Sequence, residues 1–80
     1  MRVTVYSKPR CVQCDATKRT LRKIGAEFTE VDLTESEAAL EYVTEDLGYA
    51  QAPVVVVEDG TGESHWSGYR PDLLKAAAAA

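Results

Sequence analysis

Cys11 and Cys14 are the two cysteines of this 80-residue chain, and they stand three positions apart in Cys11-Val12-Gln13-Cys14. On one helical turn that spacing puts both sulfurs on the same side, close enough for a disulfide. The first cysteine falls at the helix start, where unpaired N–H groups and the helix dipole favour an anion. Lys8 and Arg10 add positive charge beside it. The expected consequence is a lowered pKa for Cys11, each unit of which corresponds to about 1.4 kcal/mol of thiolate stabilisation. The Cys11 sulfur is expected to be exposed, whereas Cys14 shares a stripe with Leu21 and Ile24, so it is expected to be more buried and to stay a thiol until needed. The chemistry of such a pair is thiol–disulfide exchange. The Cys11 thiolate attacks a substrate disulfide, a mixed disulfide forms, and Cys14 displaces the reduced substrate.

Other uses of two cysteines compete with this one. A purely structural bridge across one helical turn constrains almost nothing of the unfolded chain. A zinc site takes four ligands, and Cys11, Cys14 and His65 supply three at most. A metal or iron–sulfur cluster bridging two copies stays open, as does an inert buried pair or an adaptor that keeps the fold without turnover.

The elements that must hold the dithiol are legible around it. Val3-Thr4-Val5-Tyr6-Ser7 alternates and is β-branched, a strand signal. Lys8-Pro9-Arg10 breaks it, and Cys14, Thr17, Leu21 and Ile24 then recur on one face of a helix, with Asp15, Lys18, Arg19, Arg22 and Lys23 assigned to the wet face. Gly25 suits a left-handed cap. Phe28 to Leu33 alternates again as a second strand. Thr34-Glu35-Ser36-Glu37 fits a capping box with Thr34 as N-cap, opening a helix expected to bury Leu40, Val43 and Leu47 and to end at Gly48. Val54-Val55-Val56-Val57 is apolar throughout, as expected of a central strand covered on both faces. A turn at Glu58–Gly62 leads into a partner strand from Glu63 to Trp66. Pro71 suits the first turn of a last helix that runs into a polyalanine tail, residues 76–80, expected to fray. The order β-α-β-α-β-β-α gives an α/β fold: a four-stranded mixed sheet flanked by three helices, one domain over residues 1–80. Strands joined through a helix are expected to run parallel and strands joined by a short turn antiparallel.

A 45% apolar and 28% charged composition is that of an ordinary globular domain. The net charge of −4 argues against wholesale nucleic-acid binding. No run approaches the roughly 18 apolar residues of a membrane span, and the strand-like start does not read as a signal peptide. The expectation is a soluble cytoplasmic domain. Its charge is segregated: residues 1–23 carry +6, residues 24–63 carry −11, and the rest +1. Both cysteines lie in the positive segment, where a thiolate is favoured.

Three motifs in order, Lys8-Pro9-Arg10-Cys11-Val12-Gln13-Cys14, Gly48-Tyr49-Ala50-Gln51-Ala52-Pro53-Val54-Val55-Val56 and His65-Trp66-Ser67-Gly68-Tyr69-Arg70-Pro71-Asp72, resemble the thioredoxin/glutaredoxin superfamily and, within it, the NrdH-redoxins. The resemblance spans the whole chain. It implies a thioredoxin-like fold and a dithiol electron carrier with Cys11 as nucleophile and Cys14 as resolving thiol. Electrons would come from NADPH through thioredoxin reductase, a flavoprotein, and pass to the large subunit of class Ib ribonucleotide reductase. No bound cofactor or metal is implied beyond the redox-active Cys11–Cys14 disulfide, and the carrier is expected to be a monomer. Pro53 matches the superfamily's cis-proline, which leaves the backbone of Ala52 free to pair with an extended substrate segment. Lys8, Arg10, Val12, Gln13, Ala52, Pro53, Trp66, Gly68, Tyr69 and Arg70 are the residues expected to meet substrate or partner.

The chain departs from that pattern at Arg10, where many relatives carry a small residue, at Ala50, where Leu is usual, and in its longer acidic hairpin at 58–64. The Gly-Gly-x-x-Asp-like segment of glutathione-dependent relatives is absent. Arg70 remains as a carboxylate binder, and weak or no use of glutathione is expected. A glutathione-dependent glutaredoxin is the alternative within the same chemistry. Trp66 and Tyr69 either form an apolar docking surface near the dithiol or, in the case of Trp66, cover the sheet edge. His65 is expected as an exposed strand residue, Tyr6 and Tyr49 as packing residues, and Asp72 as an acid serving the start of the last helix.

Overall fold

The computed structural model describes residues 1–79. Four strands, β1 (Arg2–Ser7), β2 (Thr29–Asp32), β3 (Val54–Glu58) and β4 (Glu63–Ser67), form one sheet in the order β2-β1-β3-β4. The helices are α1 (Val12–Lys23), α2 (Glu37–Glu41), which passes directly into a π-helical turn at Tyr42–Asp46, and α3 (Pro71–Ala79). This is the mixed α/β arrangement expected from the sequence.

The four valines explain why the sheet is covered twice. Successive strand side chains point to opposite faces, so Val55 and Val57 join Val3, Val5, Leu21, Trp66 and Leu74 in a core beneath α1 and α3. Val54 and Val56 join Val43 on the other face, with Tyr6, Leu33, Tyr42, Leu47 and Tyr49 packed around them.

Pairing follows the expected rule at β1–β2, which are parallel with Val5 opposite Glu30, and at β3–β4, which are antiparallel with Val55 opposite Trp66. It does not at the second helical connection. β2 ends with Asp32 opposite Ser7, and β3 starts with Val54 opposite Tyr6, antiparallel to β1. The chain through α2 therefore leaves and re-enters the sheet at the same end, so β2 and β3 run in opposite directions. They lie on either side of β1 and share no ladder that would require a parallel crossover.

The second helix also departs from expectation. Its N-cap is Ser36, whose hydroxyl accepts the Ala39 N–H at 3.1 Å. Thr34 is instead drawn to Asp32, donating both its N–H and its hydroxyl to Oδ1 at 2.8 and 2.6 Å. A short side chain two residues back outcompetes the capping box. Leu40 is 46% exposed and Leu47 half-buried, leaving Val43 as the buried anchor. α3 continues through Ala79, so the alanines at 76–79 are helical; Ala80 lies outside the described residues.

Candidate active site

Strand β1 delivers the chain to the dithiol and helix α1 carries it away. Cys11 is the N-cap of α1, in extended conformation, and its Sγ accepts the Cys14 N–H at 3.1 Å. The two cysteines are joined as a disulfide with Cα atoms 5.1 Å apart. The helix-start position expected for Cys11 is thus what the structure has, but the exposed sulfur is not: Cys11 is 8% exposed and Cys14 1%. Bridging to Cys14 turns the Cys11 sulfur back onto the helix end, while the order of accessibility between the two is kept. The α1 stripe is as expected at Cys14, Thr17 and Leu21, all buried.

Arg10, immediately before the cap, has φ +58°. This left-handed conformation costs a side-chain-bearing residue roughly 1–2 kcal/mol. The turn from strand to helix places Arg10 in this conformation, which glycine alone would adopt without that cost. Lys8 and Arg10 are exposed and take part in none of the ion pairs among the described residues. Val12, between the cysteines, is 83% exposed.

Gln13 does something the sequence did not reveal. Its Oε1 accepts the Tyr69 N–H at 2.9 Å, tying the dithiol turn to the loop after β4. In that loop Gly68 has φ +89° and donates its N–H to the Pro53 carbonyl at 2.9 Å. A Cβ on Gly68 would meet Gln13 Oε1 at an ordinary contact distance of 3.4 Å, so it is the backbone conformation that suits glycine here. The Ala52–Pro53 peptide is cis and Pro53 is buried. None of the turn and loop backbone hydrogen bonds among the described residues uses the Ala52 N–H or carbonyl.

Of the two residues weighed for a docking surface, Trp66 is buried and Tyr69 half-buried. Trp66 is 9% exposed within the α1/α3 core, so it covers the sheet; its indole N–H is buried without a partner among the described residues. Tyr69 packs against the same core, with its hydroxyl 2.8 Å from that of Thr20 on α1. Arg70 binds the Asp72 carboxylate through Nε at 3.2 Å and Nη2 at 2.9 Å. The hydrogen bond and charge of each partner hold the Asp72 carboxyl below its usual range and push Arg70 further up. His65 is exposed on β4, its Nδ1 2.8 Å from the Tyr49 hydroxyl. Among the described residues no group of three or more His, Cys, Asp or Glu is placed to hold a metal ion.

Beside the cis-proline loop a groove of about 230 Å³ is lined by Lys8, Leu33, Leu40, Val43, Tyr49 and Ala52, among others. The exposure of Leu40 is accounted for here: it forms part of an open apolar wall next to the Ala52 backbone.

Lys18 was assigned to the wet face, yet its side chain is only 17% exposed and its ammonium lies 2.7 Å from Glu30 Oε2 on β2. Four residues after Cys14, it is turned only about 40° from that buried side chain, a spacing that identifies it in retrospect. Glu30 Oε2 also accepts the hydroxyl of buried Ser7 at 2.8 Å. Hydrogen bonds from Lys18 first and Ser7 second hold the Glu30 carboxyl below its ordinary pKa.

A capped helix carrying a disulfide at its first turn, on a β2-β1-β3-β4 sheet with a cis-proline alongside, defines a thiol–disulfide oxidoreductase of thioredoxin-like fold. The glutaredoxin family model matches residues 3–61. The chain belongs to the glutaredoxin family, on its NrdH-redoxin branch. It is 38% identical over 74 residues to the glutaredoxin-like protein NrdH of Escherichia coli strain K12, covering 92% of this chain and 85% of that one. The glutaredoxin-like protein NrdH of Lactococcus lactis subsp. cremoris is also 38% identical, over 72 residues, covering 90% and 93%. The solved structure of the NrdH-redoxin from Escherichia coli superposes with a TM-score of 0.85 at 37% identity, over 95% of this chain and 93% of that one.

Proposed function

We propose that this protein is a monomeric cytoplasmic dithiol carrier that accepts electrons from NADPH through thioredoxin reductase and delivers them to the large subunit of class Ib ribonucleotide reductase. The observation that carries this reading is the position of Cys11 Sγ at the α1 N-cap, accepting the Cys14 N–H. After reduction that N–H, with the helix dipole, favours a thiolate at Cys11. Cys11 then attacks the target disulfide, and Cys14, sheltered at 1% exposure, resolves the mixed disulfide. The Cys11–Cys14 disulfide is the redox group, and exchange calls for no separate cofactor.

Lys8, Arg10 and Val12 frame the entry to the sulfurs. The free Ala52 backbone beside Pro53 offers strand-like pairing to an extended partner segment, with the groove at Leu40 and Val43 taking an apolar side chain. Gln13, Gly68 and Tyr69 fix the loop opposite; Trp66 supports it from the core. Arg70, occupied by Asp72, is poorly placed to grip a glutathione carboxylate, which favours the reductase route over the glutathione route. The structure solved for the Escherichia coli relative is of a glutaredoxin-like protein with a thioredoxin-like activity profile. No helix among the described residues is long and apolar enough to cross a membrane.

The test is NADPH consumption with a protein disulfide substrate, driven either by thioredoxin reductase or by glutathione with glutathione reductase. Turnover is expected with thioredoxin reductase; turnover through glutathione alone overturns the proposal.

A further inference from the structure

At the junction of α1 with the edge strand lies a polar cluster that the exchange steps do not use. Glu30 Oε2 accepts the Ser7 hydroxyl at 2.8 Å and the Lys18 ammonium at 2.7 Å. Ser7 is 3% exposed and ends β1, leading into the cysteine turn; Lys18 follows Cys14 by one helical turn. One carboxylate oxygen therefore grips the chain on both sides of the dithiol. Asp15 lies 3.7 Å from the same ammonium, and Arg22 on α1 adds positive charge toward Glu30.

We propose that Glu30 is a positioning residue for the dithiol, which neutralises Lys18 and so sets how strongly the local field favours the reduced, anionic form of Cys11–Cys14. This deepens the carrier reading and rests on it. Reduction breaks the S–S bond with two electrons and, when Cys11 is left as thiolate, one proton, which goes to Cys14 Sγ. The disulfide is neutral and the reduced pair carries one negative charge. Any net charge close by therefore weights the two forms unequally. With Glu30 and Lys18 both present their fields largely cancel; removing one changes the net charge of the cluster by one unit, while Asp15 and Arg22 stay as they are. Lys18 lies seven residues, about two helical turns, beyond Cys11, and a lone unit charge at that range, partly shielded from water, is worth roughly three- to tenfold in the equilibrium.

The test equilibrates the full chain with mixtures of reduced and oxidised dithiothreitol and counts thiols by alkylation. Glu30→Gln removes one negative charge from beside Lys18, leaving only Asp15 against it, and is expected to shift the equilibrium roughly three- to tenfold toward the dithiol, about 15 to 30 mV by the two-electron conversion. Lys18→Met leaves Glu30 uncompensated and is expected to shift it by a similar factor toward the disulfide. The double variant is expected to return to within about twofold of the parent, and Glu30→Asp, which keeps the charge, to stay close to it. A junction that serves only to hold α1 would lower the melting temperature of both single variants without shifts of opposite sign. That result overturns the proposal, as do single variants that shift the same way or not at all. No reductase or reductant protein enters the assay. A failed carrier reading therefore appears as absent NADPH oxidation, whereas a failed Glu30 proposal appears as an unmoved thiol equilibrium.

Discussion

The two faces of the sheet are built to different standards. Under α1 and α3 the core is closed, with Val5, Leu21, Val55 and Leu74 at 2% exposure or less. Helix α1 is a continuous twelve residues with a cysteine N-cap and basic Arg22 and Lys23 in its last turn, the placement a helix dipole favours. On the opposite face α2 lasts five residues before a π-helical turn. Its core holds three buried valines, and half-buried tyrosines and leucines complete it. The disulfide is mounted on the firm layer, and the apolar groove opens on the thin one. A sulfur that must keep its place at a helix end needs the former; a surface that must receive a partner's side chain needs the latter.

The sharpest separation of these roles comes from the cysteines. Cys11→Ser is expected to reduce disulfide turnover to the uncatalysed level. Cys14→Ser is expected to accumulate mixed disulfides with substrate, visible as a mass shift on non-reducing gels. A protein that only binds partners would be indifferent to both changes.

Packing comes next in size. Leu21→Ala, under α1, is expected to cost about 2–5 kcal/mol in denaturant unfolding, whereas Leu40→Ala, on the groove wall, is expected to cost less than about 1 kcal/mol. A large penalty at Leu40 would break the contrast between a closed face and an open one. The caps offer a smaller, local check. Ser36→Ala is expected to lose about 1 kcal/mol through the start of α2, and Thr34→Ala less than about 0.5 kcal/mol.

Acid should act on the firm face through Glu30. Its pKa is depressed in the folded protein, so the stability it contributes is complete above the ordinary glutamate value of 4.5 and is lost as pH falls below that toward the folded value. Thermal melts between pH 5 and 3 are expected to fall less steeply for Glu30→Gln than for the parent. A small effect of opposite sign belongs to Arg10→Gly. Relief of a left-handed backbone worth roughly 1–2 kcal/mol is partly offset by up to about 1 kcal/mol of added chain entropy, leaving a gain of about 0.5 kcal/mol.

Much of this organisation was legible in the residues because local chemistry and global fold agree. Val54 to Val57 announced a strand buried on both faces, Gly25 a helix stop, Pro71 a helix start, and Cys-x-x-Cys a helix-borne dithiol. What stayed hidden depended on neighbours distant in sequence. Nothing local tells Asp32 to claim Thr34, or shows that Trp66 lies under α3 rather than beside the sulfurs. The same holds for the Gln13 contact to Tyr69, 56 positions away, and for the direction of β3. Lys18 is a different case, because its helical phase relative to Cys14 was available and basic character alone placed it in solvent.

The most direct measurement is the ionisation of Cys11 in the Cys14→Ser variant, followed by thiolate absorbance or alkylation rate against pH. A midpoint clearly below the free-thiol value of about 8.5 is the expected result. A midpoint at or above that value would contradict a helix end that prepares this sulfur for exchange.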